Sequence, residues 1–139
     1  MRIPSYLLAC SSFLLASQGT AQDLALLLYG GENNSVFAGC LNCNQYDTAA
    51  ICNQYGDFGS RYSGTSIWNP YGNFGSRYQN DSPWNQFGSG LAIVDSDGNY
   101  YGQFTLSLNN QTKLPLVLSI FDAYRAMEDL GALRDLLCE

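Results

Sequence analysis

The chain contains no histidine and few charged residues. The lack of histidine excludes Ser-His and Cys-His nucleophilic catalysis and most catalytic zinc sites. Paired carboxylates catalyse some reactions without histidine, but the acidic residues here fall in predicted turns or on a predicted helix surface, with no pattern that pairs them. We therefore expect a protein that is not an enzyme and that uses no cofactor and no metal.

Basic residues are scarce. Six Lys and Arg stand against 12 Asp and Glu, a formal net charge of −6 over 139 residues. Binding to nucleic acid requires clustered positive charge, so we expect no nucleic-acid partner. Tyrosine and glycine are abundant instead, with 10 and 14 residues. This composition favours short strands, turns and packed aromatic rings over long helices.

Residues 1–21 have the organisation of a signal peptide. Arg2 precedes an apolar stretch over residues 6–16, and the Gly-Thr-Ala sequence at 19–21 supplies small residues for cleavage before Gln22. The apolar stretch is too short to span a bilayer. We therefore predict export to the periplasm or the medium.

The remaining residues, 22–139, have the length of a single small domain with no transmembrane segment. An alternative interpretation of the amino terminus is a lipoprotein cleavage box, Leu-Leu-Ala-Cys, that ends at Cys10. In that case the mature chain would begin with a lipidated cysteine.

Four cysteines remain in the predicted mature chain: Cys40, Cys43, Cys52 and Cys138. An even number in a small exported domain indicates two disulfides, with three possible pairings. We favour Cys52–Cys138 with Cys40–Cys43; the next choice is Cys40–Cys52 with Cys43–Cys138. Closing the long loop between Cys52 and Cys138 would stabilise the fold by about 4 kcal/mol in the chain-entropy model.

The sequence contains an internal repeat of 16 residues, which we call the repeat segment (residues 43–88). One position, here called the slot, is filled by Cys52, Trp68 and Trp84. Each slot residue is followed directly by Asn, and an aromatic residue and Gly lie three and four residues after the slot. The string FGSRY occurs twice, at 58–62 and 74–78. Such units are too small to bury their own aromatic rings, so they must pack on one another or on a sheet.

Within the repeat segment the sequence predicts short helical turns rather than strands. Each turn would begin at an N-cap (Asp47, Ser63 or Thr65, and Asp81 or Ser82) and end at a glycine in the left-handed conformation (Gly56, Gly72 and Gly88). The FGSRY strings between these turns would be short and extended.

The rest of the chain predicts an α+β fold, a small, mostly antiparallel sheet packed against a C-terminal helix. Strands are expected over 23–29, 35–40, 91–94 and 100–108, with hairpin turns at 32–34 and 95–99. The repeat segment would form a loop-rich flank of this sheet.

The C-terminal helix is predicted from Pro115 to Leu137. Its apolar residues recur at three- and four-residue steps: Ile120, Tyr124, Met127, Leu130, Leu133 and Leu137. Gly131 weakens the helix by about 1 kcal/mol relative to Ala and is the candidate position for a break. The solvated face would carry the charged residues Asp122, Arg125, Glu128, Asp129, Arg134 and Asp135.

The candidate binding residues lie in the repeat segment. Guanidinium groups and aromatic platforms can together recognise a sugar or an anion; the candidates are Arg61, Arg77, Tyr62, Tyr78, Trp68 and Trp84. The alternative is that each arginine stacks on the aromatic rings of its own unit and that both tryptophans belong to the core.

Two further motifs have a functional and a structural interpretation. The pair Cys40–Cys43 has the spacing of a redox or zinc motif, but no second CxxC and no long helix follow it, which favours a structural disulfide. Asp95, Asp97 and Asn99 resemble a calcium loop, but the following glycine is misplaced for an EF-hand, and a hairpin turn explains the same residues.

The strings GCLNCNQYD, SIWNPYGNFGSRY, SPWNQFG and AIVDSDGNYYGQFT occur in this order. In this arrangement the chain resembles a group of small exported bacterial proteins or modules of unknown function, over most of residues 39–105. The resemblance implies export and a shared fold, and no chemistry. We expect a non-enzymatic exported interaction or cell-envelope module that binds an unknown protein or an envelope glycan. The alternative is a periplasmic thiol-redox or metal-binding protein that uses Cys40 and Cys43.

Overall fold

The computed structural model describes residues 24–138. The predicted signal peptide, its cleavage site and Cys10 lie outside these residues. Four strands form one antiparallel sheet in the order β2-β1-β3-β4. The strands are β1 (Leu26–Gly30), β2 (Val36–Cys40), β3 (Leu91–Asp95) and β4 (Tyr100–Phe104). With the two helices described below, they confirm the predicted α+β fold.

The apolar strand β1 is an interior strand of the sheet, paired with β2 on one edge and with β3 on the other. Leu28 is opposite Gly39 of β2 and Ile93 of β3, and its side chain is fully buried. A single 3-10 turn, Glu32–Asn34, connects β1 to β2. The predicted fourth strand is shorter than expected, since residues 105–108 follow β4 as bends.

The turn between β3 and β4 is built around the Asp95 carboxylate. This group accepts hydrogen bonds from the backbone N–H groups of Asp97 and Asn99, both at 2.9 Å, and from the Tyr101 hydroxyl at 2.6 Å. The Tyr101 bond, followed by the Asn99 side chain, lowers the pKa of Asp95 to about 2. The carboxylate is thus used by the hairpin, and residues 24–138 contain no group of three or more metal-ligating side chains.

The repeat segment is a continuous series of β-turns. From Asn44 to Gly56, a backbone N–H bonds the carbonyl three residues earlier at every third residue. The next bond spans four residues, from the N–H of Ser60 to the carbonyl of Gly56, and bonds over three residues then resume. The same longer step recurs between Gly72 and Ser76. Four steps of three residues and one of four make up each 16-residue unit.

The predicted helical turns and extended FGSRY strings are therefore wrong. Side chains explain the difference, because Asn, Asp and Ser side chains bond to nearby backbone groups and so compete with helix formation. Gly56, Gly72 and Gly88 also do not adopt the predicted left-handed conformation. The chain needs glycine there for space: a β-carbon at Gly88 would lie 2.6 Å from the carbonyl oxygen of Asn80.

Two helices follow, α1 (Pro115–Met127) and α2 (Leu130–Leu137). The break between them lies at Glu128, which has a left-handed backbone, rather than at Gly131. Asp129 starts α2 because its side chain accepts hydrogen bonds from the N–H groups of Gly131 and Ala132. Gly131 is therefore part of the first turn of α2.

The buried face of the helices differs from the predicted one at several positions. Ile120 and Leu133 are buried as expected, but Met127 is 40% exposed and Phe121 of α1 is fully buried. Arg134, expected in solvent, is 6% exposed. The helices pack on the repeat segment as well as on the sheet, so the three- and four-residue pattern alone does not define their buried face.

Two disulfides connect these parts, and their pairing is the one that the sequence favours. Cys40 bonds Cys43 at the end of β2, and Cys52 in the first unit of the repeat segment bonds Cys138 after α2. In the part of the chain that the structure describes, every buried side-chain nitrogen and oxygen has a hydrogen-bond partner.

Candidate ligand-binding surface

Six aromatic side chains of the repeat segment project into solvent. Their exposed fractions range from 82% to 94%. Each unit contributes two, at spacings that alternate between nine and seven residues: Tyr46, Tyr55, Tyr62, Tyr71, Tyr78 and Phe87. We call these six side chains the exposed aromatic set. Single exposed aromatics are common on protein surfaces, but a periodic series of them is not.

The backbone under each exposed ring is fixed by the same contact. The N–H of the aromatic residue donates to a side-chain oxygen two residues earlier, an Asn in four cases and a Ser in two. In the second unit, Asn69 Oδ1 accepts from Tyr71 at 3.0 Å and Ser60 Oγ accepts from Tyr62 at 3.2 Å. The same Asn donates through Nδ2 to the carbonyl of Ser63 at 3.1 Å. The turns therefore hold each exposed ring on an ordered backbone.

The slot residues lie on the opposite side of the turns, in the core. Trp68 and Trp84 are 1% and 2% exposed, and their ring centroids are 5.9 Å apart. Each indole N–H donates at 2.7 Å to the carbonyl 17 residues earlier, that of Ile51 or Ile67. These two candidate binding residues are thus core residues, since the hydrophobic rings face inward.

Three hollows lie between the repeat segment and the C-terminal helices. Each is lined by residues from the same six repeat positions, shifted by 16. The two exposed aromatic residues of a unit line each hollow, together with its slot residue and the following Asn. The first hollow contains Tyr46 and Tyr55, the second Tyr62 and Tyr71, and the third Tyr78 and Phe87.

The helices supply the other wall of each hollow. Arg134 and Asp135 of α2 line the first, which has a volume of about 440 Å³. Glu128 and Asp129, between the helices, line the second, of about 650 Å³. Arg125 and Glu128 line the third, of about 810 Å³. Volumes of this size occur in sites that bind small molecules, but all three hollows are open to solvent on one side.

The two candidate arginines occupy equivalent places but have different contacts. Arg61 lies 3.6 Å from the Asp135 carboxylate, and the two side chains are 44% and 62% solvent-accessible. Such an exposed pair contributes little stability. Arg77 lines the second and third hollows beside Tyr124 and Glu128. Arg61 is thus paired with α2, whereas the alternative hypothesis placed it on the rings of its own unit.

Arg134 lines the first hollow and connects α2 to the repeat segment. Its Nε donates to the carbonyl of Gly59 at 2.8 Å, and its guanidinium lies 3.6 Å from Asp135. Burial lowers the pKa of Arg134, and Asp135 opposes this shift. At the second and third hollows, burial raises the pKa of the Tyr124 hydroxyl.

Of the exposed aromatic set, only Tyr62 and Tyr78 were predicted from the sequence as candidate binding residues; the other four were not. A signal was present: every member follows an Asn or Ser by two residues, the spacing of a turn in which the side chain bonds the backbone. The helix residues of the hollows carry no such signal, because their sequence does not repeat.

The disulfide of Cys40 and Cys43 lies apart from the hollows. Cys40 is fully buried at the end of β2. Between the two cysteines, Asn42 accepts through Oδ1 from the N–H of Leu26 in β1 and donates through Nδ2 to the carbonyl of Leu24, just before β1. The bridge thus closes a short loop that is also tied to the sheet.

Comparison of the chain with family models, with curated proteins and with solved structures found no match in any of the three. No helix within residues 24–138 is long and apolar enough to cross a membrane.

Proposed function

We propose that this chain is a non-enzymatic, exported interaction module that binds its ligand through the exposed aromatic set. The observation that carries the proposal is the exposure of these six rings, from 82% to 94%, each on a turn in which the ring residue's N–H bonds an Asn or Ser side chain two residues earlier. Burying the rings in the core would stabilise the domain, since a buried aromatic ring removes much apolar surface from water. A surface that repeatedly forgoes this gain is best explained by a ligand.

The six candidate binding residues from the sequence analysis have different positions in the structure. Tyr62 and Tyr78 belong to the exposed aromatic set, and Arg61 and Arg77 line the hollows beside them. The tryptophans hold the units together from inside. Export is supported by the two disulfides, which are stable in oxidising compartments such as the periplasm or the medium.

A pull-down tests the proposal. The mature protein and the double variant Tyr62→Ala/Tyr71→Ala would be incubated with insoluble cell-wall glycans and with outer-envelope fractions. We expect the double variant to lose most of the bound fraction. Because both side chains are exposed and the bonds under them use backbone N–H groups, the variant should fold normally.

Leu108→Ala is the matched control, because Leu108 is 85% exposed but does not line a hollow. If the aromatic double variant and this control retain binding equally, the exposed aromatic set does not bind the ligand.

A thiol-redox or metal-binding role for Cys40 and Cys43 is the alternative. A redox disulfide is attacked at an accessible sulfur, and Cys40 is buried, which leaves the half-buried Cys43 as the point of attack. Insulin-reduction activity that is lost in Cys43→Ser, or stoichiometric zinc in the reduced protein, would favour this role over the aromatic surface.

A further inference from the structure

We infer that the three hollows are consecutive subsites for one linear, uncharged glycan, each hollow holding one unit of the polymer. The inference rests on the proposed function and adds the ligand class and the arrangement. Its basis is that the hollows are formed by the same repeat positions, three times in succession. A site whose repeat-side wall recurs three times fits a ligand that itself repeats.

The walls of the hollows fit the flat faces of sugar rings. A pyranose with equatorial substituents presents C–H groups on both faces and hydroxyl groups at its edge, so it stacks on an aromatic ring and keeps polar contacts at the side. Phe87 replaces tyrosine in the third hollow. The property that all three hollows share is therefore the ring rather than the hydroxyl.

The charges of the hollows favour an uncharged ligand. Each hollow is lined by both positively and negatively charged side chains. They are Arg134 with Asp135 in the first, Arg61 and Arg77 with Glu128 and Asp129 in the second, and Arg77 and Arg125 with Glu128 in the third. A polyanion would meet the carboxylates and the negative net charge of the whole chain, −6. A polycation would meet the arginines.

The hollows are also contiguous. Four residues line both the second and the third hollow: Arg77, Tyr78, Tyr124 and Glu128. The ion pair between Arg61, which lines the second, and Asp135, which lines the first, connects those two. In the second and third units the slot rings, Trp68 and Trp84, are 5.9 Å apart. The shared lining residues and the ion pair place the three hollows side by side, as one extended ligand requires.

Occupation of linked subsites predicts a dependence on ligand length. Once the first unit is bound, binding of the next is intramolecular, so each added unit strengthens binding until the hollows are filled. We expect affinity to rise by about 100-fold or more from a monosaccharide to a chain that fills all three hollows, and then to level off.

The experiment is isothermal titration calorimetry with cello-oligosaccharides and chito-oligosaccharides, from the monosaccharide to the hexasaccharide. The wild type is compared with Leu108→Ala and with one double variant for each hollow: Tyr46→Ala/Tyr55→Ala, Tyr62→Ala/Tyr71→Ala and Tyr78→Ala/Phe87→Ala. Each double variant should weaken binding of the hexasaccharide. The second-hollow variant should abolish the length dependence, because it separates the two outer hollows. Tyr62→Phe/Tyr71→Phe should retain it.

Several results would overturn the inference. Binding to one hollow only, with no dependence on length, would contradict consecutive subsites while leaving the proposed function standing. Failure of both oligosaccharide series to bind would contradict the uncharged-glycan assignment, and the envelope pull-down would then decide the proposed function separately. Sedimentation that shows self-association abolished by the same aromatic variants would assign the surface to a second copy of this chain.

Discussion

Trp84 holds the three parts of the fold together, and its replacement is the most informative test of the architecture. Its indole stacks on Tyr124 of α1 at 4.8 Å and meets Phe104 of β4 and Phe121 of α1 edge-on, at 5.8 and 6.1 Å. Its indole N–H donates to the Ile67 carbonyl at 2.7 Å. The side chain is 2% exposed. Core packing and one buried hydrogen bond therefore depend on a single residue.

The expected cost can be divided between these two contributions. Trp84→Ala removes both and should lower the free energy of unfolding by about 3–5 kcal/mol. Trp84→Phe keeps most of the ring but leaves the Ile67 carbonyl without its donor, which should cost about 1–3 kcal/mol. Since total stability is only about 5–15 kcal/mol for a domain of this kind, the phenylalanine variant is the safer measurement.

The assay is equilibrium unfolding in urea with the disulfides intact, followed by far-ultraviolet circular dichroism. Phe87→Ala is the matched control: this residue lies three positions later, is 87% exposed, and should change stability by no more than about 0.5 kcal/mol. If Phe87→Ala costs as much as Trp84→Phe, the inward and outward sides of the repeat segment are assigned wrongly.

The remaining predictions concern backbone, pH and the long-range disulfide. Gly75→Ala should destabilise by about 1–3 kcal/mol or more because its β-carbon would overlap a backbone carbonyl, whereas Gly64→Ala has open space and should be nearly neutral in the same urea titration. Hydrogen bonds to the Asp95 carboxylate, first from Tyr101 and next from Asn99, lower its pKa from 3.8 to about 2. Stability from this group is therefore present above pH 3.8 and is lost as the pH falls towards 2. Asp95→Asn should flatten this part of a plot of stability against pH. Cys138→Ser opens a disulfide that spans 86 residues and should lower the melting temperature, with a loss of about 4 kcal/mol.

The sheet could be predicted from the sequence because its signals are local. The apolar run of β1 ends at Gly30, and the polar turn at 95–99 separates two apolar strands, so both hairpins follow from neighbouring residues. The order of the strands, with β1 beside β3, depends on the return of the chain after the repeat segment. No local pattern carries that information.

The repeat segment was harder to predict because the same side chains are compatible with two local structures, a helical turn and an isolated β-turn. Its period and its inward slot could be recognised from the sequence, but residues such as Asp47 and Ser63 are equally typical of helix N-caps and of isolated turns. The turns form because Asn53 and its equivalents bond both a later N–H and an earlier carbonyl, which satisfies the backbone without a helix.

The hollows depend on how the helices are aligned with the repeat, and the slot sets this alignment at both ends. In the first unit the slot holds Cys52, whose disulfide fixes Cys138 after the end of α2. In the third unit it holds Trp84, which stacks on Tyr124 of α1. The non-repeating helices are thus anchored at the first and third units, with the break at Glu128 beside the second. This explains why a cysteine can occupy a position that tryptophan fills elsewhere. The slot attaches the helical wall at the first and third units, and this attachment places that wall opposite all three repeat-side walls.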